Sequence, residues 1–165
     1  MQSIAIIITG QLSRNSKNFY LRNFLNKTKK FDLFISTYNK DSEFVDLFNK
    51  SRIKYLNYED FQKLKKKSYS INGKYYKLES ISSPLYQWYH LNKIIEDNIN
   101  ILKTYDIIIK IRPDMLFQSI DFLTEATIHE SSIYAFTDCL FYGKSDHFIK
   151  VFSDFYINIF KIYSF

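Results

Sequence analysis

The sequence predicts an α/β fold: an α/β/α sandwich around a mostly parallel central sheet, built as one domain over residues 1–165. Three observations predict it. Runs rich in β-branched residues, SIAIIIT at 3–9, FDLFIST at 31–37 and IIIKI at 107–111, place apolar residues at successive positions, as strands buried on both faces do. Between them lie segments whose apolar residues recur every three or four positions, so strands alternate with helices. With 165 residues, 46% of them hydrophobic and 19% aromatic, the chain can bury one substantial core.

Each element follows from its own pattern. Ser3 to Thr9 is the first strand, and Gly10-Gln11-Leu12-Ser13-Arg14 is the loop after it. Asn15 to Lys27 is a helix burying Phe19, Leu21, Phe24 and Leu25. Phe31 to Thr37 is the second strand, ending in Tyr38-Asn39; Ser42 to Asn49 is a helix burying Phe44, Val45 and Phe48. Arg52 to Asn57 alternates like a strand, and Tyr58 to Lys67 is a short helix ending in KLKKK. Ser68 to Ser82 has no clear period and carries Asn72-Gly73, a turn or hairpin signal, so it reads as a mobile loop.

Ser83-Pro84 caps and opens a long helix with Leu85, Trp88, Leu91, Ile94, Ile95, Ile99 and Leu102 on its apolar face. The strand YDIIIKI follows, then Ile120 to Thr124 and a strand over Ile133 to Phe136. Phe141-Tyr142-Gly143 precedes a final helix from Ser145 to about Tyr163, with Phe148, Val151, Phe152, Phe155, Ile159 and Ile162 as its stripe.

Composition narrows the function classes. The 23 basic against 17 acidic residues leave a net charge of +6, but an Ile-, Asn- and Lys-rich usage inflates lysine, which weakens the case for a polyanionic partner. A single cysteine, Cys139, excludes an internal disulfide and suits a reducing compartment. The start MQSIAIIITGQL has no basic segment before its short apolar run, and no run approaches the roughly 20 apolar residues of a spanning helix. The expected location is cytoplasmic, with a peripheral membrane contact left open.

Three strands end in polar residues: Thr9-Gly10-Gln11, Thr37-Tyr38-Asn39 and Arg112-Pro113-Asp114. In open α/β sheets, ligands bind outside the carboxyl ends of the strands. Arg112 and Asp114 are two apart and project to the same side, and Pro113 cannot donate to a ladder. A guanidinium suits phosphate oxygens, and a carboxylate suits a divalent cation or a sugar hydroxyl. Together they fit a nucleoside diphosphate; the alternative is an internal Arg–Asp clamp closing a core strand.

These segments resemble small glycosyltransferases of the GT-A type that act on surface polysaccharides. Four segments carry the resemblance in order: IAIIITGQLSR, SPLYQWYHLNK, YDIIIKIRPDMLF and TDCLFYGKSDHF. The resemblance implies a GT-A-like, Rossmann-like sandwich moving a sugar from a nucleotide-sugar donor to a glycan or lipid-linked acceptor. Asp114 matches the acid on the metal and diphosphate side. Most such enzymes carry Asp-x-Asp there; here Arg112 stands in place of the first acid, which puts the need for a divalent cation, Mn or Mg, in question.

The resemblance also places Thr9, Gly10, Gln11 and Arg14 beside the nucleotide; Thr37 joins them as a substrate-side candidate from its strand end, and Gln87 lies either by the ligand or against the helix at 15–27. Gly10 would let the backbone approach the ligand, or is a plain turn. Arg14 would reach a phosphate, or is a surface charge. Asp138 would be the acceptor-side base, or a turn residue. Lys93 reads as solvated, and Cys139 as a small buried residue. His90, His129 and His147 lack metal-ligand spacing and read as surface or helix-face residues. Two rivals remain: a transferase fold without activity, and a nucleic-acid-binding module using the Lys and Tyr residues of 63–77, although no stable nucleic acid partner is expected.

Overall fold

The computed structural model describes residues 2–12, 26, 30–66, 68–71, 74–77, 84–112, 128–137, 139–153, 155 and 158, with backbone alone for 68–71, 74–77, 84 and 85. Eight strands are found among them: β1 Ile4–Thr9, β2 Asp32–Tyr38, β3 Ile53–Glu59, β4 Ser68–Ile71, β5 Lys74–Lys77, β6 Ile107–Ile111, β7 Ile133–Phe136 and β8 Leu140–Lys144. The helices are α1 Ser42–Val45, α2 Phe61–Lys66, α3 Pro84–Leu102 and α4 Ser145–Phe152.

Six strands form one sheet in the order β3-β2-β1-β6-β8-β7. β1 pairs in parallel with β2 and β6, and β2 in parallel with β3, while β8 runs antiparallel to both β6 and β7. The fold is therefore α/β with a mostly parallel, mixed sheet. Both faces are covered, as continuous apolar strands require. Ile4, Ile6, Ile8, Leu33, Ile35, Ile107, Ile109 and Ile111 pack on one face with Val45 and Phe48. Ala5, Ile7, Phe34 and Ile108 pack on the other with Leu91, Ile94, Ile95 and Phe148. Each fully buried isoleucine contributes about 1.5–3 kcal/mol relative to exposure.

The amino edge of the sheet is pinned by polar pairs. Asp106 Oδ2 accepts from the Ser3 backbone N–H (2.7 Å) and hydroxyl (2.9 Å), and the Tyr105 hydroxyl donates to Asp32 Oδ2 (2.8 Å). α3 ends at this edge, where Ser145 Oγ donates to the Leu102 carbonyl (2.6 Å). It is kinked at Asn98 (φ −132°, ψ 17°), whose side-chain amide donates to the Ile94 carbonyl (2.9 Å), so a side chain serves the ladder there.

Several expectations are corrected. Within the segment read as a loop, residues 68–71 and 74–77 pair as antiparallel strands, in keeping with the turn or hairpin signal between them. β3 extends to Glu59, and α2 starts only at Phe61. Asp60 accepts from the backbone N–H of Gln62 (2.9 Å) and Lys63 (3.2 Å), a capping arrangement that Tyr58 is unable to provide. The segment around Phe141-Tyr142-Gly143 is strand β8. Val151 is more than a third exposed, and Ile149 is buried in its place. α1 is one turn, although Val45 and Phe48 are buried as expected. The helix expected at 15–27 lies outside the described residues except at Asn26, as do Ile120 to Thr124 and the last part of the final helix.

Candidate functional site at the carboxyl edge of the sheet

The ends of the three strands meet, described on the third as far as Arg112. In the register Thr9 lies opposite Ser36 on β2, and Ile8 opposite Ile111 on β6, so the ends of β2, β1 and β6 stand side by side. Strand order reverses at β1: β2 and β3 lie on one side, and the chain crosses to β6 on the other through α3. α1, between β2 and β3, covers one face, while α3 covers the opposite one. A crevice at such a reversal is where open α/β sheets bind ligands.

Gly10 opens the loop at φ +92°, a backbone region costly for residues with a Cβ, and its N–H donates to the Ser36 carbonyl (3.1 Å). A Cβ built there would meet nothing within 4 Å among the described residues. Thr9 is 4% exposed, and its hydroxyl has no hydrogen-bond partner among them. A buried hydroxyl left unmatched is costly unless something binds it. Gln11 is half-buried beside it.

Thr37 points to the opposite face. Its hydroxyl is shared between the Gly10 carbonyl (2.7 Å) and the Asp41 carboxylate (2.6 Å). Asp41 is fully buried and also accepts from the Leu12 N–H (3.1 Å). This clasp fixes the course of the loop from below, so the geometry makes Thr37 a holder of the Gly10 loop. Asp41 is absent from the sequence reading; a lone acid three residues after a strand end was its only signal.

On the α3 face the largest finding is Lys110. It sits on β6 with 0% exposure, and its Nζ donates to Gln87 Oε1 (2.7 Å). The amine also lies over the Trp88 ring (5.3 Å to the centroid) and the Phe141 ring (5.5 Å). A buried amine needs such partners, and aromatic faces supply part of them. Arg112 lies two residues on and is half-buried; alternation carries it toward the same face, while its backbone N–H extends the pairing to the Cys139 carbonyl (3.0 Å). On this face Thr9 ends β1 and Arg112 follows the end of β6, while Lys110, held by Gln87, lies fully buried level with Ile7, below the edge. Lys110 was legible as the one charge inside IIIKI, but nothing in the sequence distinguished a buried amine from a strand-end charge.

α3 is seated by a polar chain. His90 is fully buried and its Nδ1 hydrogen-bonds Ser36 Oγ (2.6 Å); Asn57 donates to Ser36 Oγ (3.1 Å) and Glu59 Oε1 (3.1 Å), which also accepts from Tyr89 (3.2 Å). Burial first, then the neighbouring Glu59 carboxylate, pushes the Tyr89 phenol up to about 12. His90, expected on a surface or helix face, is thus a core residue, because β2 ends its apolar run with Ser36 beneath it. His129 is exposed, Cys139 is half-buried rather than buried, and Lys93 pairs with Asp97 (3.1 Å) along the helix surface.

Arg14, Asp114 and Asp138 lie outside the described residues. Among the described residues, no group of three or more His, Cys, Asp or Glu side chains converges as a cation site, and the candidate cation ligand Asp114 is not one of them. No described helix is long and apolar enough to cross a membrane. Fold and edge define an α/β protein whose strand order reverses at β1, with Arg112 and the unmatched Thr9 hydroxyl among the described residues at that edge. The chain matches no protein-family model and shows no significant similarity to a curated protein.

Proposed function

We propose that the protein is a GT-A-like glycosyltransferase, moving a sugar from a nucleoside-diphosphate sugar to a glycan or lipid-linked acceptor. The observation that carries this reading is that the Thr9–Gly10 turn and Arg112 end neighbouring strands at the strand-order reversal, with the Lys110 charge buried just below on the same face. Among the described residues nothing lies within 4 Å of a Cβ at Gly10 and the Thr9 hydroxyl has no partner, which suits a closely approaching donor. Two cationic side chains one strand away suit a diphosphate.

In the reaction, the bond from the anomeric carbon to the diphosphate breaks and the acceptor oxygen forms a new bond to that carbon. Charge gathers on the leaving phosphate, and the fields of Lys110 and Arg112 stabilise it. Gln87 holds the Lys110 amine in place, and Asp114 would complete the phosphate side directly or through Mn or Mg. Asp138 would take the acceptor proton in an inverting transfer.

The test incubates the protein with UDP- and GDP-sugars, with and without manganese, and follows nucleotide release. Release from one donor class supports the reading. No turnover and no thermal shift with any donor would favour a fold without activity.

A further inference from the structure

We infer that the segment from Lys63 to Lys77 is a docking surface for an anionic membrane. The sequence there is KLKKKSYSINGKYYK, with six lysines and no acidic residue. The 17 basic residues elsewhere balance the 17 acidic ones, so the whole net charge of +6 resides in these fifteen positions. A lysine-rich composition would spread an excess along the chain; this excess is confined.

The structure gives the segment a form and a location. Lys63 and Lys66 are exposed on α2, while Leu64 is fully buried and anchors the helix. Lys74 and Lys77 follow on the hairpin, in register with Ile71 and Ser68, and Tyr69 pairs with Tyr76. The hairpin is a separate two-stranded sheet, not part of the central one. α2 is rooted at the carboxyl edge, where Phe61 packs on Tyr38 (5.2 Å between centroids) and Tyr86 (5.5 Å). The chain returns to that edge at the start of α3. The basic segment therefore leaves and rejoins the domain beside the candidate site.

The chemistry favours a lipid surface over RNA. All six cations are lysine and none is arginine. Compact ammonium charges respond to a diffuse negative surface potential, whereas RNA sites draw on the planar guanidinium for stacking and bidentate contacts. Tyrosines suit the headgroup level, where one end of the ring is apolar and the other wet. Docking this way turns the carboxyl edge toward the bilayer. The inference does not depend on transfer activity, so its test needs no donor.

The experiment is co-sedimentation of the full chain with phosphatidylcholine vesicles, with and without phosphatidylglycerol, at low and high salt. Binding is expected to vesicles containing phosphatidylglycerol only, and to be lost at high salt. Joint Lys63→Glu, Lys66→Glu and Lys67→Glu should weaken it about tenfold or more. Joint Lys40→Glu, Lys103→Glu and Lys150→Glu, the same charge change on exposed lysines elsewhere, should weaken it far less. Should the first variant fail to fold, Lys74→Gln with Lys77→Gln is read in its place, with a smaller drop expected. Equal binding to both vesicle types, no binding, or equal losses in the two reversal variants overturns the inference. So does a single-stranded RNA that is bound when anionic vesicles are not.

Discussion

At the scale of single residues, Gly10 and Lys110 carry the account. Gly10 holds φ +92°, and a Cβ there would meet no described residue within 4 Å, so the cost of Gly10→Ala is read as backbone strain. It should cost about 1–2 kcal/mol in a denaturant melt through backbone strain, and should weaken nucleoside-diphosphate binding as well. Lys110→Met should weaken that binding about tenfold, a loss of about 1.4 kcal/mol, measured by calorimetry. A lysine serving packing alone would lower the melting temperature and leave binding unchanged. Gly10 was legible because few residues tolerate a turn after a buried strand. The depth of Lys110 was not, because burial depends on Trp88 and Phe141, which are 22 residues before and 31 residues after it in the chain.

Among the elements, those with a strong local period were legible and those defined by pairing were not. The apolar face of α3 matches the expectation at Leu91, Ile94, Ile95 and Leu102. β8 escaped notice because its two faces carry similar residues and only its partners β6 and β7 make it a strand. Its glycine shows the pairing: a Cβ at Gly143 would lie 2.8 Å from Ile133 Cδ1 and 2.9 Å from the Ser132 carbonyl. Backbone is not able to give way cheaply, so Gly143→Ala should destabilise by about 1–3 kcal/mol, read as a lower melting temperature. At the amino edge, the Ser3 N–H and hydroxyl hold the Asp106 carboxyl below its usual range. With the folded value depressed, this stabilisation is present above the ordinary carboxylate range and is lost as pH falls through the depressed value. The site is exposed, so its contribution is below about 1 kcal/mol. Asp106→Asn should remove it, giving a smaller drop in melting temperature between neutral and acid pH than the unmodified protein shows.

For the whole molecule, the alternation of strands and helices foretold an α/β sheet, and the ends of β1, β2 and β6 stand side by side, described on the third as far as Arg112. The strand order was not readable, because it is set by which faces bury which helices rather than by any local pattern. That order matters most: it puts β1 between β2 and β6, so the Gly10 turn and Arg112 end neighbouring strands, with Lys110 buried one level below. The proposed chemistry follows from that adjacency together with the carboxylate of Asp114. The most direct measurement is nucleotide release from UDP- and GDP-sugars by the unmodified protein and by Asp114→Asn, with both melting temperatures recorded. The account predicts turnover by the first, none by the second, and melting temperatures within a few degrees. Undiminished turnover by Asp114→Asn, or a variant that no longer folds, would contradict it.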